Sequence, residues 1–201
     1  ETTERAPLVL TPLGRIYAFS LIAASTMLAT LVTYGLSPSL LHIFALSGAA
    51  PALALQLGSL RGVMGISARF VDMLLGRRGS PLISATLGIG LILASFMLLL
   101  VANGSASLLV AFVVLYGFGS GVVTVARALL PLAVFSPRDF GLQSARLSLP
   151  QNLASAAAPV IFTGILDRAG LPALLVTASI LAALSFFFVI LLALFIRGRR
   201  A

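Results

Sequence analysis

Residues 72–105 read DMLLGRRGSPLISATLGIGLILASFMLLLVANGS, which is an arginine-rich connection, a long apolar run and an uncharged turn. The same alternation repeats along the chain. A helix needs about 20 apolar residues to cross the hydrocarbon core of a bilayer, which is about 30 Å thick. Six runs reach that length, at about 16–36, 40–66, 81–102, 106–126, 147–166 and 171–196. The sequence therefore predicts an all-α, polytopic membrane protein with six transmembrane helices.

The amino-acid composition is typical of the same class of protein. Of the 201 residues, 60% are hydrophobic and 9% are charged, which is too little charge to cover a soluble domain of this length. The net charge of +8 is carried by arginine, mostly in short connections between apolar runs, so we expect a lipid bilayer and not nucleic acid as the partner. The absence of cysteine excludes disulfides, thiolate metal sites and cysteine nucleophiles. We predict no cofactor and no metal site.

Arginine is concentrated in every second connection. It occurs in the N-terminal segment, in the second and fourth connections and in the C-terminal tail, whereas the other connections contain only Arg168. Cytoplasmic loops of membrane proteins are enriched in basic residues, so both termini are predicted to be cytoplasmic, in the cell (inner) membrane. Residues 1–14 would form a cytoplasmic tail or a linker between two halves, and 15–201 the six-helix bundle. The polar start without an initiating Met leads us to expect a piece of a longer protein or a processed product.

The two groups of three predicted helices share a weak internal similarity. In each group, a glycine-containing helix end is followed by a turn that contains Asp, Arg and Gly, although the threading places the two turns on opposite faces of the membrane. The matching residues are Gly65, Arg69, Asp72, Gly76 and Arg77 in the first group and Gly164, Asp167, Arg168 and Gly170 in the second. This pattern is typical of an inverted three-plus-three repeat.

Three features resemble the C-terminal half of a major facilitator superfamily transporter. They are the cytoplasmic-loop pattern Gly65, Arg69, Asp72, Gly76, Arg77 and Arg78; the series Gly117, Gly119 and Gly121 followed by Arg127; and Ala157-Ala158-Pro159 followed by Gly164 and residues 167–170. The chain departs from the family's loop motif where Met73, and not Arg, follows Asp72. The resemblance implies the seventh to twelfth helices of a twelve-helix transporter, and it implies an N-terminal six-helix half, or another half, as partner.

The first candidate binding residues form a polar stripe on the fourth predicted helix. Tyr116, Ser120, Thr124 and Arg127 are spaced four, four and three residues apart, so they share one helical face. Charged residues inside membranes usually face protein or a water-filled cavity. Arg127 is therefore a candidate for attracting an anionic group or pairing with a gating carboxylate. It could equally be an arginine that extends to the lipid headgroups from the inner end of its helix.

Other candidates lie on the second and fifth predicted helices. Arg61, with Gln56 and Ser59 nearby, could contact a substrate or could be a structural arginine paired to a carboxylate or a carbonyl. Gln151 and Asn152 could bind substrate or bond to a neighbouring helix. Two glycine stripes are interpreted as helix-packing surfaces, because small residues let helices approach closely. They consist of Gly58, Gly62 and Gly65, and of Gly117 and Gly121.

The family resemblance also implies an inner gate. Its residues would be Arg69, Asp72, Arg77 and Arg78, whose ion pairs would differ between inward-open and outward-open states. The alternative interpretation is a solvated loop that only sets the topology. The single histidine, His42, is predicted at the membrane interface.

Two functions follow from these observations. The first is secondary transport of a small solute by alternating access, with this chain as the C-terminal half. The alternative is a structural or regulatory six-helix membrane protein that assembles with a partner without transporting. An intramembrane serine protease is not expected, because Phe118-Gly119 before Ser120 lacks the first glycine of the nucleophile motif and no histidine follows His42. We predict that the protein is not an enzyme and has no catalytic residues.

Overall fold

The computed structural model describes residues 11–76, 80–102 and 105–199, and it confirms the prediction of an all-α protein. No strand occurs in these ranges. The α-helices are α1 (Pro12–Leu36), α2 (Leu40–Leu46), α3 (Pro51–Gly76), α4 (Pro81–Leu100), α5 (Ala106–Leu129) and α6 (Pro137–Gly198), with a short 3₁₀ helix at Leu130–Ala133. Arg77, Arg78 and the predicted turn at Asn103 and Gly104 lie outside the described residues.

Four helical segments are long and apolar enough to cross a membrane. They are Pro12–Leu36, Pro81–Leu100, Ala106–Ala133 and Arg138–Gly198. Helix α3 is long as well, but it contains Gln56, Ser59 and Arg61 and is not among the four. A polar helix packed among apolar helices is expected to face protein or a water-filled cavity.

The predicted helix at 40–66 was wrong in its boundaries. The chain forms α2, leaves the helical conformation at residues 47–50, and starts α3 at Pro51. Gly48 has φ of 89°, a left-handed conformation that ends helices readily because glycine has no Cβ. Pro51 then suits the first position of a helix, where its missing N–H costs nothing. Helix α3 also continues past residue 66 to Gly76.

The predicted helices at 147–166 and 171–196 lie on either side of the non-helical Gly170, and α6 covers both of them. The first of the two begins earlier than predicted, at Pro137. The connection between the predicted helices at 106–126 and 147–166 is therefore largely helical. Ser136 caps α6: its hydroxyl accepts a hydrogen bond from the backbone N–H of Asp139 (3.4 Å) and donates one to the Asp139 carboxylate (3.1 Å). This local capping pattern defines a helix start that hydropathy alone does not reveal.

Gly170 divides α6 into two parts that run in opposite directions. Its φ of 77° and ψ of 179° lie in a region that side-chain-bearing residues avoid. Before Gly170, Gln151 and Phe162 contact Thr26 and Gly35 of α1, so the first part runs parallel to α1. After it, Ser185 bonds to Ser25 and Phe195 packs on Tyr17, so the second part returns antiparallel.

We expect Gly170→Ala to lower the free energy of unfolding by about 1–3 kcal/mol, because alanine is strained in this backbone conformation. Gly164→Ala is the matched control: Gly164 lies in the regular helix of the first part, and a Cβ there meets nothing within 4 Å. Thermal unfolding of the detergent-solubilised variants measures both. Equal stability of the two variants would mean that the backbone conformation at position 170 does not require glycine.

Helix α5 packs against its neighbours through glycines on two opposite faces. Gly117 and Gly121 face α3, where a Cβ at Gly121 would collide with the carbonyl oxygen of Gly65. Gly119 faces α4, where a Cβ would lie 2.7 Å from the carbonyl oxygen of Gly88. The packing interpretation is confirmed for Gly65, Gly117 and Gly121.

The packing interpretation does not hold for the whole α3 stripe. A Cβ at Gly58 would meet only the end of the Leu41 side chain, at 3.0 Å, and one at Gly62 would meet nothing within 4 Å. The stripe therefore contacts α5 near its C-terminal end, whereas its N-terminal end is open.

Candidate binding site in the helical bundle

Tyr116 on α5 is the fixed centre of the candidate site. It is fully buried, and its single hydroxyl hydrogen is shared between the carbonyl oxygens of Thr33 (3.1 Å) and Val32 (3.3 Å) at the C-terminal end of α1. Its ring stacks on Phe112 with centroids 5.4 Å apart and packs edge-on against Phe96 at 5.8 Å. The ring is therefore packed against apolar side chains and the hydroxyl has hydrogen-bond partners, so these contacts fix the position of Tyr116.

Arg61 on α3 lies over the ring of Tyr116. The guanidinium carbon is 5.3 Å from the ring centroid, a distance typical of a cation–π contact. Gly117 allows this approach, since a Cβ there would lie 3.0 Å from the carbonyl oxygen of Arg61. A structural role for Arg61 had predicted a carboxylate or a carbonyl as its partner. Instead, its partner is an aromatic face.

Part of the Arg61 guanidinium is left without a hydrogen-bond partner. Its Nε is buried, yet it donates to no protein atom in the described part of the chain. A buried N–H without a partner costs about 1–3 kcal/mol. Arg61 also lies about 15 Å along the axis from Pro51, at 1.5 Å per residue, and farther still from Gly76. Arg61 therefore lies well inside α3. The predicted boundary at residue 66 had placed it close to a helix end.

A cavity of about 350 Å³ opens beside Arg61, between the C-terminal end of α1, α2 and the first half of α3. It is lined by Ser37, Leu40, Leu41, Leu55, Gly58, Ser59 and Arg61. The wall is apolar apart from two hydroxyls and the guanidinium, which is the usual composition of a small-molecule pocket. Gln56, a predicted binding residue, is exposed on α3 but does not line this cavity.

The remaining stripe of α5 is only partly available for binding. The Ser120 hydroxyl donates to the Gly117 carbonyl (2.9 Å) and that of Thr124 to the Ser120 carbonyl (2.8 Å), so both are satisfied within their own helix. Arg127 is half-buried in the last turn of α5, with its guanidinium carbon 5.9 Å from the centroid of the Tyr34 ring on α1. Sequence reasoning did not identify Tyr34 as a partner.

Gln151 forms a hydrogen bond to a neighbouring helix, which is one of the two roles predicted for it. Its side-chain amide donates to the hydroxyl of Thr26 on α1 at 3.0 Å, and that hydroxyl donates to the Ile22 carbonyl at 2.7 Å. Asn152, one residue along, is exposed. The two amides therefore differ in their surroundings.

We expect Thr26→Val and Gln151→Leu to be energetically coupled by about 0.6 kcal/mol, the average for hydrogen bonds between membrane helices. Thermal unfolding of both single variants and the double variant measures the coupling. The control cycle pairs Thr26→Val with Asn152→Leu, for which we expect additive effects. Additivity in the first cycle would show that the Gln151 contact does not stabilise the bundle.

Among the residues predicted for an inner gate, Asp72 has a hydrogen-bond partner, but within the part of the chain that the structure describes the predicted ion pair between Arg69 and Asp72 is not formed. The Asp72 carboxylate accepts a hydrogen bond from the Ser84 hydroxyl at 2.7 Å, which links the end of α3 to the start of α4. Arg69 is exposed, and within the described ranges no ion pair joins it to Asp72. The ion pair that the structure does show joins Arg15 to Asp139 at 3.6 Å, and both side chains are exposed enough for solvent to weaken it.

The structure thus brings Tyr116 and Arg61 together, and of these two only Arg61 lines the cavity. Gln56, Arg127, Gln151 and Asn152 lie at other places in the bundle. Sequence spacing could relate residues on one helix, but it contained no signal for the contacts of Tyr34 with Arg127 or of Ser84 with Asp72. No family model and no curated protein matches this chain.

Proposed function

We propose that this chain is one half of a secondary transporter that moves a small solute by alternating access. The observation that carries the proposal is Arg61: a half-buried cation in the middle of α3, held over Tyr116, with an unpartnered buried Nε beside an open cavity of about 350 Å³. Ionisable residues within membrane segments are costly, and they usually mark solute or ion pathways. A purely structural bundle gains nothing from leaving such a donor unpaired.

The helix contacts support an inverted three-plus-three repeat. We take α1, α3 and α4 as the first group, and α5 with the two parts of α6 as the second. Helix α1 then packs on both parts of α6, and α5 packs correspondingly on α3 and α4. Helix α4 meets the second part of α6 where Phe186 lies against Gly90. Exchanging the two groups leaves this set of neighbours unchanged, as a pseudo-two-fold axis in the membrane plane requires.

The remaining features of the proposal concern the whole transporter. Another six-helix half would face the cavity, and rocking of the two halves would expose the solute alternately to each side. Both termini would be cytoplasmic in the inner membrane. Asp72 and Ser84, together with Arg69, Arg77 and Arg78, would belong to the inner gate. No covalent step is involved, so the protein would not be an enzyme.

The test uses the natural full-length protein that contains these residues, reconstituted in proteoliposomes with a panel of labelled solutes. At least one solute is expected to enter faster than into protein-free vesicles. Ser59→Cys is expected to react with a membrane-impermeant thiol reagent, and the transported solute is expected to slow this reaction. These 201 residues contain no cysteine, and any cysteine elsewhere in the full-length protein is replaced by serine. Absence of solute entry across the panel would contradict the transporter proposal and favour a structural or regulatory role.

A further inference from the structure

We propose that the solute bound in the Arg61 cavity carries an anionic group, a carboxylate or a phosphate, which Arg61 binds directly. The inference rests on the proposed function, because it assigns the chemical class of the solute to the same site. It follows from the charge balance, the free donors and the shape of the cavity.

The cavity contains a positive charge and no compensating negative charge among the described residues. The acidic side chains in those ranges are Asp72, Asp139 and Asp167. Asp72 accepts from Ser84 near the start of α4, Asp139 pairs with Arg15, and Asp167 is exposed near the end of the first part of α6. None of them lines the cavity. Arg61 is half-buried, and a partly desolvated cation is stabilised by an opposite charge, so an incoming anion would be favoured over a neutral or cationic solute.

The donors beside the cavity suit an oxyanion. Arg61 has a fixed fork of N–H groups, and the Tyr116 ring holds it from one side, so little side-chain freedom is lost on binding. The buried Nε is unpartnered, and Ser37 and Ser59 add hydroxyls to the same wall. A carboxylate or a phosphate can accept two parallel hydrogen bonds from such a fork, which a halide or a neutral carbonyl cannot.

The rest of the wall limits the body of the solute. Leu40, Leu41 and Leu55 line the cavity around these donors. An apolar body next to the anionic group would bury surface against them, whereas a highly hydrated polyanion would lose more hydration than one guanidinium can replace. A small monoanion with an apolar part is therefore the favoured class.

The experiment measures binding and transport separately on the natural full-length protein. Calorimetric titration compares benzoate with benzamide, which has nearly the same shape without the charge, and with inorganic phosphate. We expect benzoate to bind at least about tenfold more tightly than benzamide, the ratio expected for one charge-assisted hydrogen bond. If phosphate binds and benzoate does not, the result supports an anionic site and contradicts the inference that the solute has an apolar part.

Variants assign the binding to Arg61. Arg61→Gln is expected to lower the affinity for benzoate at least about tenfold, and Arg61→Lys to retain part of it, since lysine keeps the charge but not the fork. Arg168→Gln, at an exposed position outside the cavity, is the control and should bind as the wild type does. Thermal unfolding of each variant verifies that it is folded, and the partial rescue by lysine cannot arise from misfolding.

The outcomes separate the two proposals. Equal affinity for benzoate and benzamide, no binding of either anion, or benzoate binding that Arg61→Gln leaves unchanged would overturn the anionic site, even if neutral solutes are transported. Arg61-dependent binding of benzoate without entry of any solute into proteoliposomes would support the anionic site and contradict transport.

Discussion

Arg61→Ala is expected to reduce the uptake of an anionic solute by at least about thirtyfold, which corresponds to about 2 kcal/mol, the lower end of the cost of removing one partner from a buried charge pair. The guanidinium also lies against Tyr116 and beside the cavity, so its loss removes the positive charge without breaking a protein hydrogen bond at Nε. The amount of protein inserted in the membrane should therefore be unchanged. Initial rates of uptake into proteoliposomes measure the effect.

Two variants make this result specific. Arg61→Lys should show uptake between that of the wild type and that of Arg61→Ala, because the charge is kept without its planar donors. Arg168→Ala removes an exposed arginine and should transport at the wild-type rate. Wild-type uptake by Arg61→Ala would remove this residue from the solute pathway, whatever the effect of other substitutions.

Gly121→Ala should lower the free energy of unfolding by about 1–3 kcal/mol, the usual cost of adding a methyl group to a fully packed interface. A Cβ at this position would collide with the carbonyl oxygen of Gly65 and lie 2.7 Å from the Cβ of Ala68. Backbone cannot move aside as a flexible side chain can, so α3 and α5 would have to separate. Thermal or denaturant unfolding in detergent measures the loss.

Gly62→Ala is the matched control on the facing helix. Its Cβ would meet nothing within 4 Å, so the ordinary preference of helices for alanine should leave stability equal to or slightly above that of the wild type. The separation of α3 from α5 should also move Arg61 relative to Tyr116, so Gly121→Ala is expected to weaken anion binding as well. If Gly121→Ala is as stable as Gly62→Ala, the close approach of α3 and α5 is not required.

Hydropathy and residue spacing predicted the parts of the structure that depend on single helices. The apolar runs at 81–102 and 106–126 correspond closely to α4 and α5, since about 20 consecutive apolar residues specify a helix in a membrane protein whatever surrounds it. Gly117 and Gly121 were interpreted as a packing surface because they lie four residues apart, and both do contact α3.

Other features depend on information that one helix does not contain. The break at residues 47–50 lies within an apolar run, and it is visible only through Gly48 and Pro51. Which helix faces which was also unpredictable: Gln151 meets Thr26 across 125 sequence positions, and spacing gives a side chain's face but not its neighbour. The predicted boundary at residue 66 placed Arg61 near a helix end, whereas α3 continues to Gly76. The contact of Arg61 with Tyr116 was missed because spacing does not identify the neighbouring helix.

The membrane threading of the bundle is tested most directly by cysteine accessibility, because the chain contains no cysteine of its own. Ser107→Cys lies at the start of α5 and Leu13→Cys at the start of α1, and both positions are exposed. In intact cells, an impermeant thiol reagent should label Ser107→Cys and should label Leu13→Cys only after permeabilisation. Labelling of both positions from the same side of the membrane would contradict the threading and, with it, the transporter proposal.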